Sequence, residues 1–286
     1  MSDHVRIYEV GPRDGLQNEK RIIPTASKIE LIDLLSRAGF EKIEATSFVS
    51  PKWVPQLADA LEVMRGIARR PGTGYAVLTP NMKGFELAQA AGADEVAVFA
   101  SASEGFSQKN INCSIAASLA RFQPLLVAAR EVGIRVRGYV SCVIACPYDG
   151  DVVPEAVRDT ALALREMGCY EISLGDTIGA GTPATVSRML KAVLAGIPAT
   201  ELAGHFHDTK NTALDNVAVS LDMGLRTFDS AVGGLGGCPY APGAKGNLST
   251  SALLDLLERR GFDTGIDRTA LLAAERYVAT ITSKAD

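Results

Sequence analysis

The sequence predicts a single α/β domain, a TIM (β/α)8 barrel, on two observations. Eight short runs of β-branched or apolar residues alternate with longer stretches of helical periodicity, and eight strands is the number that closes a parallel barrel. An open doubly wound sheet is the rival, but its glycine-rich GxGxxG turn is missing: the first strand is followed by Gly11-Pro12-Arg13-Asp14-Gly15. We therefore expect one catalytic domain over residues 1–286, with a short C-terminal helical extension.

The predicted strands each contain four to seven residues, and glycine ends several of the helices between them. In chain order the strands are Val5–Val10, Glu41–Thr46, Gly74–Leu78, Glu95–Ala100, Arg135–Ser141, Glu171–Leu174, Leu202–His207 and Thr227–Val232. The clearest predicted helices are Ile29–Ala38, Pro154–Met167, Thr212–Met223 and Thr250–Arg260.

Composition excludes several classes of protein. The chain has 286 residues, 47% of them hydrophobic, and a net charge of −4, which argues against disorder and against a nucleic-acid-binding protein. It has no apolar run of about 18 residues, so we expect no membrane span, and its start resembles no targeting peptide. Five scattered cysteines without a CxxC pair predict reduced thiols and a cytoplasmic protein.

Two of the three histidines, His205 and His207, stand two residues apart in one predicted strand. Residues i and i+2 of a strand share a face. The other face carries Leu202 and Phe206, which suit packing against helices, so both imidazoles should point into the barrel at its carboxyl end, where barrel chemistry lies. Paired neutral imidazoles suit a metal ion; the alternative is two polar barrel residues hydrogen-bonded to their neighbours.

Carboxylates follow or lie within the first two predicted strands. Asp14, directly after the first strand with Arg13, would complete a two-histidine, one-carboxylate set with open positions for substrate and water; a loop ion pair is the alternative. Glu44 should point inward, where a carboxylate must be paired, metal-bound or protonated. It is a candidate general base, a partner for Arg13, or part of a structural salt bridge.

Three further candidates lie near later strand ends. Asp176 follows the sixth predicted strand and is either a helix N-cap or a functional carboxylate. Cys238 ends the run Gly233-Gly234-Leu235-Gly236-Gly237-Cys238, and a thiol on so flexible a loop is suited to proton transfer, although a free cysteine is often inert. Asn247 offers an amide oxygen as a hard ligand, or marks a turn.

Four segments together resemble the 3-hydroxy-3-methylglutaryl-CoA (HMG-CoA) lyase family. They are GPRDGLQNE (11–19), IEATSFVSP (43–51), SLGDTIG (173–179) and GGLGGCPY (233–240). The resemblance runs from about Val5 to Gly265, and the cysteine-containing glycine loop is its most diagnostic element. The Arg13-Asp14 and His205/His207 pairs are shared with the wider metal-dependent barrels, such as isopropylmalate synthase and homocitrate synthase.

The resemblance implies a carbon–carbon lyase that cleaves (S)-3-hydroxy-3-methylglutaryl-CoA to acetyl-CoA and acetoacetate, as in leucine degradation, with Mg²⁺ or Mn²⁺ as cofactor. The metal ligands that it implies are Asp14, His205, His207 and Asn247. It also implies Arg13 at the thioester carbonyl, Glu44 and Asp176 in acid–base and supporting roles, Cys238 as the loop thiol and Lys20 as a contact for the CoA phosphates.

Two departures from the family pattern lie near the predicted mouth of the barrel. Ser251 stands where members of the family carry a glutamate, and Lys210-Asn211-Thr212 replaces Tyr-Gly-Gln; both bear on the size of the acyl group. The alternatives are an acyl-CoA-condensing synthase or related lyase of the superfamily, and a non-catalytic barrel that binds a metal or a CoA ester. A homodimer or higher homo-oligomer stays open.

Overall fold

A closed barrel of eight parallel strands forms the centre of the computed structural model, which describes residues 3–236 and 246–283. Each strand pairs with its chain neighbours, and the last strand pairs with the first, Arg6 lying opposite Thr227. The predicted barrel is thereby confirmed. The strands are β1 (Arg6–Glu9), β2 (Lys42–Ser47), β3 (Gly74–Leu78), β4 (Glu95–Ser101), β5 (Arg135–Ser141), β6 (Glu171–Asp176), β7 (Leu202–Phe206) and β8 (Thr227–Ser230).

Helices surround the barrel because successive strand residues alternate between two faces. In β4, Val96 and Val98 belong to the large core that the strands share with the helices, whereas Ala97 belongs to a separate inner cluster with Leu78 and Tyr139. The helices are α1 (Thr25–Arg37), α2 (Ala60–Gly66), α3 (Met82–Ala90), α4 (Glu104–Ile111), α5 (Ile115–Glu131), α6 (Pro154–Met167), α7 (Pro183–Leu194), α8 (Ala213–Asp222), α9 (Thr250–Arg259) and α10 (Arg268–Thr282).

The C-terminal helix α10 is the predicted extension. It begins at an N-cap, Asp267, whose side chain accepts a hydrogen bond from Ala270 N. The backbone N–H of Asp267 donates to Ala38 O at 2.8 Å, and Arg21 donates to the carbonyl of Ile281. These bonds fix α10 against both ends of the segment that runs from the first loop through α1.

Several details differ from the sequence prediction; for example, β8 ends at Ser230 rather than Val232, and α1 begins at Thr25 rather than Ile29. Strand β6 continues to Asp176 rather than ending at Leu174, and β7 ends at Phe206, so that His207 lies just beyond it. The register between β2 and β3 shifts between Glu44 and Thr46. A small antiparallel hairpin, Ala145–Cys146 with Gly150–Asp151, follows β5 and was not predicted, because two-residue strands carry no periodic signal.

The interior of the barrel holds buried charges as well as small apolar clusters, and Arg137 joins several of these charges. This residue is 0% exposed; its Nε donates to Glu171 Oε1 at 2.8 Å and its Nη2 to Asp229 Oδ1 at 2.7 Å. Its guanidinium carbon also lies 4.0 Å from the centroid of the Tyr8 ring. Burial opposes the charge of Arg137, but Asp229 and Glu171 raise its pKa overall, so the guanidinium stays protonated.

None of the helices within residues 3–236 and 246–283 is by itself both long and apolar enough for a membrane span. Helices α4 and α5 satisfy that criterion only as a pair, and they are bent by 59° where they join.

The buried ion cluster predicts a large cost for removing its cation. Arg137→Met leaves two buried carboxylates without their partner, so the free energy of unfolding should fall by about 3–5 kcal/mol. Urea unfolding followed by circular dichroism measures this. Arg165→Met, which breaks the outer pair with Glu201, is the matched control and should change stability little, because that pair lies at the surface. Equal effects of the two substitutions would contradict the role given to the buried cluster.

Candidate metal centre at the barrel mouth

Three side chains from two distant parts of the chain converge at the carboxyl end of the barrel. Asp14 comes from the loop after β1, His205 from β7 and His207 from the residue after β7. One potential ligand atom from each lies within 4.8 Å of the other two. The geometry that the sequence predicted for these residues is therefore present.

A tight turn places Asp14. Residues Gly11–Gly15 form a single π-helical turn, in which Asp14 N donates to Val10 O at 2.8 Å. One carboxylate oxygen of Asp14 accepts from Arg13 Nη1 at 2.6 Å and from Gln17 Nε2 at 2.8 Å, and the other accepts from Asn247 Nδ2 at 2.7 Å. Three donors thus fix the orientation of this carboxylate.

Asp229 orients the His205 ring, and a backbone bridge to Asn247 holds His207. The His205 ring nitrogen Nδ1 lies 3.2 Å from Asp229 Oδ2, and the His205 and His207 ring centroids are 5.3 Å apart. Because Asp229 is ionised, Nδ1 carries the proton, and Nε2 of His205 is the nitrogen left to bind a metal. His207 forms a backbone bridge with Asn247, which brings the Asn247 amide to the cluster.

The pKa shifts of Asp14 and His207 match the protonation states of metal ligands, whereas that of His205 does not: burial lowers the pKa of His205, but Asp229 and Asp14 raise it overall. Burial alone would raise the pKa of Asp14, but the charge of Arg13 and the nearby histidines lower it to about 2. Burial and the neighbouring His205 lower the pKa of His207 to about 4. At pH 7, Asp14 is therefore an anion and His207 is neutral, as metal binding requires.

An orphaned atom supports the fit to a metal. The Nδ1 atom of His207 is buried and has no hydrogen-bond partner among the residues that the structure describes. A buried polar nitrogen without a partner is costly, and a cation would satisfy such an atom. One carboxylate with two imidazoles, and an amide beside them, is a donor set that suits several divalent ions.

Arg13 and Glu44 form a buried pair beside this cluster. Arg13 Nε donates to Glu44 Oε2 at 2.6 Å, and the guanidinium carbon lies 5.5 Å from the centroid of the Tyr139 ring. Burial raises the pKa of Glu44, and the charge of Arg13 offsets this only in part. The second oxygen, Glu44 Oε1, is buried without a partner among the described residues.

The other predicted site residues are not part of the cluster. Asp176 is the last residue of β6 and lies on the face shared with Leu174, which packs in the outer core. Its carboxylate accepts from Ala180 N at 3.0 Å and from Gly181 N at 2.7 Å, so it holds the loop that leads to α7. It does not cap that helix, whose N-cap is Thr182. Lys20 is exposed at the end of the first loop, and Cys238 lies outside the described residues.

Sequence reasoning missed the layer beneath the histidines. Asp229 accepts from Ser173 Oγ at 2.8 Å as well as from His205 and Arg137. The rule that placed Glu44 would have found it: Phe228 packs outward, so the next residue, Asp229, points inward. The same alternation applies to Arg137 and Tyr139 in β5.

The two departures near the mouth have different surroundings. Ser251 Oγ donates to Glu275 Oε1 at 2.5 Å, so a carboxylate does lie beside position 251, although it comes from α10. Lys210 is exposed in the loop after β7, and its charge lies close enough to Asp176 to oppose the effect of burial on the pKa of that carboxyl.

Comparisons with known proteins agree with this geometry. A family model described as HMGL-like matches residues 4–278. A Pseudomonas aeruginosa protein named 3-hydroxy-3-isohexenylglutaryl-CoA/hydroxy-methylglutaryl-CoA lyase is 56% identical over 282 residues, which is 99% of this chain and 94% of that protein.

Solved structures show the same likeness. The HMG-CoA lyase from Brucella melitensis superposes with a TM-score of 0.97 at 60% identity, covering 98% of this chain and 99% of that one. An HMG-CoA lyase from Acinetobacter baumannii, in complex with coenzyme A and 3-methylmalate, has a TM-score of 0.93 at 39% identity, covering 99% of this chain and 92% of that one. On its sequence, its barrel and its extent, the chain belongs to the HMGL-like family.

Proposed function

We propose that this chain is a divalent-metal-dependent lyase that cleaves (S)-3-hydroxy-3-methylglutaryl-CoA to acetyl-CoA and acetoacetate. The observation that carries the proposal is the convergence of Asp14, His205 and His207, with the fixed charge of Arg13 bonded to the same aspartate. Family membership and the names of the similar proteins supply the substrate.

The reaction needs three kinds of help from the protein. The bond between C2 and C3 of the acyl group breaks, and its electron pair moves toward the thioester, giving an enolate of acetyl-CoA. The hydroxyl on C3 loses its proton and becomes the ketone of acetoacetate. The enolate must then gain a proton at C2. No oxidant or reductant takes part.

Asp14, His205, His207 and Asn247 are the residues that would hold the cation, Mg²⁺ or Mn²⁺ in our proposal. When bound, such an ion supplies positive charge that lowers the pKa of the substrate hydroxyl and orients the acyl group. The chain keeps these donors ready, since Asp14 is ionised and the Asp229 carboxylate directs the His205 ring.

The Arg13–Glu44 pair supplies charge and an acceptor. Glu44 and Asp14 hold the guanidinium on two sides, so Arg13 remains a fixed cation, which we assign to the thioester oxygen as negative charge develops there. Glu44 Oε1, buried and without a partner among the described residues, is the atom to which we assign proton acceptance. We assign Asp176 a supporting role, in which its carboxylate holds the loop that leads to α7.

Cys238 is the proposed proton donor to C2. A thiol with an ordinary pKa of about 8.5 is mostly protonated at pH 7. Its position directly after four glycines in five residues, Gly233 to Gly237, is the feature of the sequence that supports this role.

The contact with CoA, the assembly of the protein and its location in the cell are also part of the proposal. Lys20, exposed in the first loop, suits the CoA phosphates, and the coenzyme A in the Acinetobacter relative supports a CoA ester as ligand. We propose that residues 1–286 act as one catalytic domain, as a homodimer or higher homo-oligomer. The cytoplasm suits it, since Cys113, Cys142, Cys146 and Cys169 are free thiols.

The protein should cleave HMG-CoA and should require a divalent metal ion to do so. Purified protein given HMG-CoA and Mg²⁺ should form acetoacetate and acetyl-CoA in equal amounts. Chelation should lower the rate by about a hundredfold or more, since a lost cation is worth several kcal/mol of barrier, and added Mg²⁺ or Mn²⁺ should restore it. Full turnover in thoroughly chelated protein would refute the metal dependence.

The same assay separates the alternatives. Parallel reactions with 3-hydroxy-3-isohexenylglutaryl-CoA, the larger substrate in the name of the Pseudomonas relative, test the size of the acyl group. Net condensation from acetyl-CoA and a keto acid would favour a synthase. Metal and CoA-ester binding without any turnover would favour a non-catalytic barrel.

Removing the charge of Arg13 should slow the chemical step. Arg13→Gln is expected to lower kcat by at least about 10²-fold, because a buried fixed charge that stabilises the transition state is lost. Steady-state kinetics at saturating Mg²⁺ measures this. Arg165→Gln, at a surface ion pair, is the control and should leave kcat unchanged. A rise in KM alone would make Arg13 a binding residue.

The thiol of Cys238 is tested by a single-atom change. Cys238→Ser should lower kcat by about 10²–10⁴-fold with little change in substrate affinity, because a hydroxyl is a far weaker acid than a thiol. Cys113→Ser, in the connection between α4 and α5, is the matched control. Turnover close to that of the unsubstituted protein would remove Cys238 from the mechanism.

A further inference from the structure

Glu9, the last residue of β1, is a carboxylate that the mechanism above does not use. It is 0% exposed, and the groups that bind it are hydrogen-bond donors rather than cations. Its Oε1 accepts from Gly11 N at 2.8 Å and from Val232 N at 2.9 Å, and its Oε2 accepts from Thr250 Oγ1 at 2.7 Å. Burial of a carboxylate is costly, and these three bonds offset part of that cost.

The three donors belong to three different segments of the barrel mouth. Gly11 opens the π-helical turn that carries Arg13 and Asp14. Val232 opens the turn that leads into the glycine-rich loop. Thr250 opens α9, three residues after Asn247. One carboxylate therefore joins the segment that carries Asp14 to the segment that follows Asn247.

The contacts around Glu9 leave little room for adjustment. A Cβ atom added at Gly11 would lie 2.6 Å from Glu9 Oε1, so the close approach depends on glycine at that position. The Thr250 hydroxyl also lies 2.9 Å from Ser230 Oγ at the end of β8, and Ala231 forms a bridge with Ser249. The start of α9 is thereby held to β8 as well as to β1.

We propose that Glu9 is a positioning residue for the metal centre, which fixes the Asp14 turn and the Asn247 segment relative to each other. Glu9 acts through Gly11 and Thr250, since its own oxygens are occupied by those bonds and by Val232. The inference deepens the proposed function and rests on the metal site described there.

Metal affinity is the direct test. Mn²⁺ titrated into metal-free protein and followed by electron paramagnetic resonance reports binding without any substrate. Glu9→Ala should weaken Mn²⁺ binding by about 10–100-fold, the usual effect of losing a group that orients ligands. Activity at saturating Mn²⁺ should recover toward that of the unsubstituted protein, because no group that touches the substrate is removed.

Two further variants keep the test informative if Glu9→Ala folds poorly. Glu9→Gln retains an acceptor oxygen and should bind Mn²⁺ within a few-fold of the unsubstituted protein. Thr250→Val removes one donor while keeping the shape of the side chain, and should weaken Mn²⁺ binding measurably.

Glu95→Gln is the matched control. Glu95 is an equally buried carboxylate of the barrel interior, bonded to the Tyr8 hydroxyl and to Lys42 at the opposite end of the strands. It should leave Mn²⁺ affinity unchanged even where stability falls. Unaltered Mn²⁺ binding in both Glu9→Ala and Thr250→Val, or an equal loss in Glu95→Gln, would overturn the inference. Failure of the unsubstituted protein to bind Mn²⁺ would instead refute the metal site itself.

Discussion

A single buried chain of charges, from Arg137 through Asp229 to His205, supports the candidate metal centre from below. Arg137 keeps Asp229 ionised although the carboxylate is fully buried. Burial alone would raise the pKa of Asp229, but the charge of Arg137 and the hydrogen bond from His205 lower it below its ordinary range. The ionised carboxylate then accepts a hydrogen bond from Nδ1–H of His205, which fixes the ring and leaves Nε2 free.

The closed barrel adds a geometric constraint to this electrostatic one. All eight strands deliver their carboxyl ends to one rim, so residues as far apart in the chain as Asp14 and His205 meet without any long excursion of the backbone. The segment 246–248 then joins the rim by pairing with the end of β7, where Leu248 N donates to Phe206 O at 3.1 Å. Backbone pairing with the end of β7 thus places Asn247 beside the two histidines.

Much of this arrangement could be predicted from the sequence, since it follows from two periodicities. The alternation of strands with helices predicted the barrel, and the two-residue period of β7 predicted that His205 and His207 point inward. The same two-residue period in β8 and β5 would also have predicted that Asp229 and Arg137 point inward. Asp176 shows where the pattern fails: two more paired residues extend β6 to Asp176, whose side chain lies on the face turned toward the helices. The contacts of Asn247 and Glu275 were also beyond prediction, because they depend on how distant segments pack and leave no local signal.

The central claim is that Asp14, His205 and His207 hold one divalent cation. Diffraction from crystals soaked in MnCl₂, recorded at the manganese absorption edge, tests it most directly. We expect one strong anomalous peak in contact with all three side chains, and its loss in crystals of Asp14→Ala. Manganese bound elsewhere with no peak between these residues, or a peak that survives the loss of Asp14 unchanged, would contradict the claim.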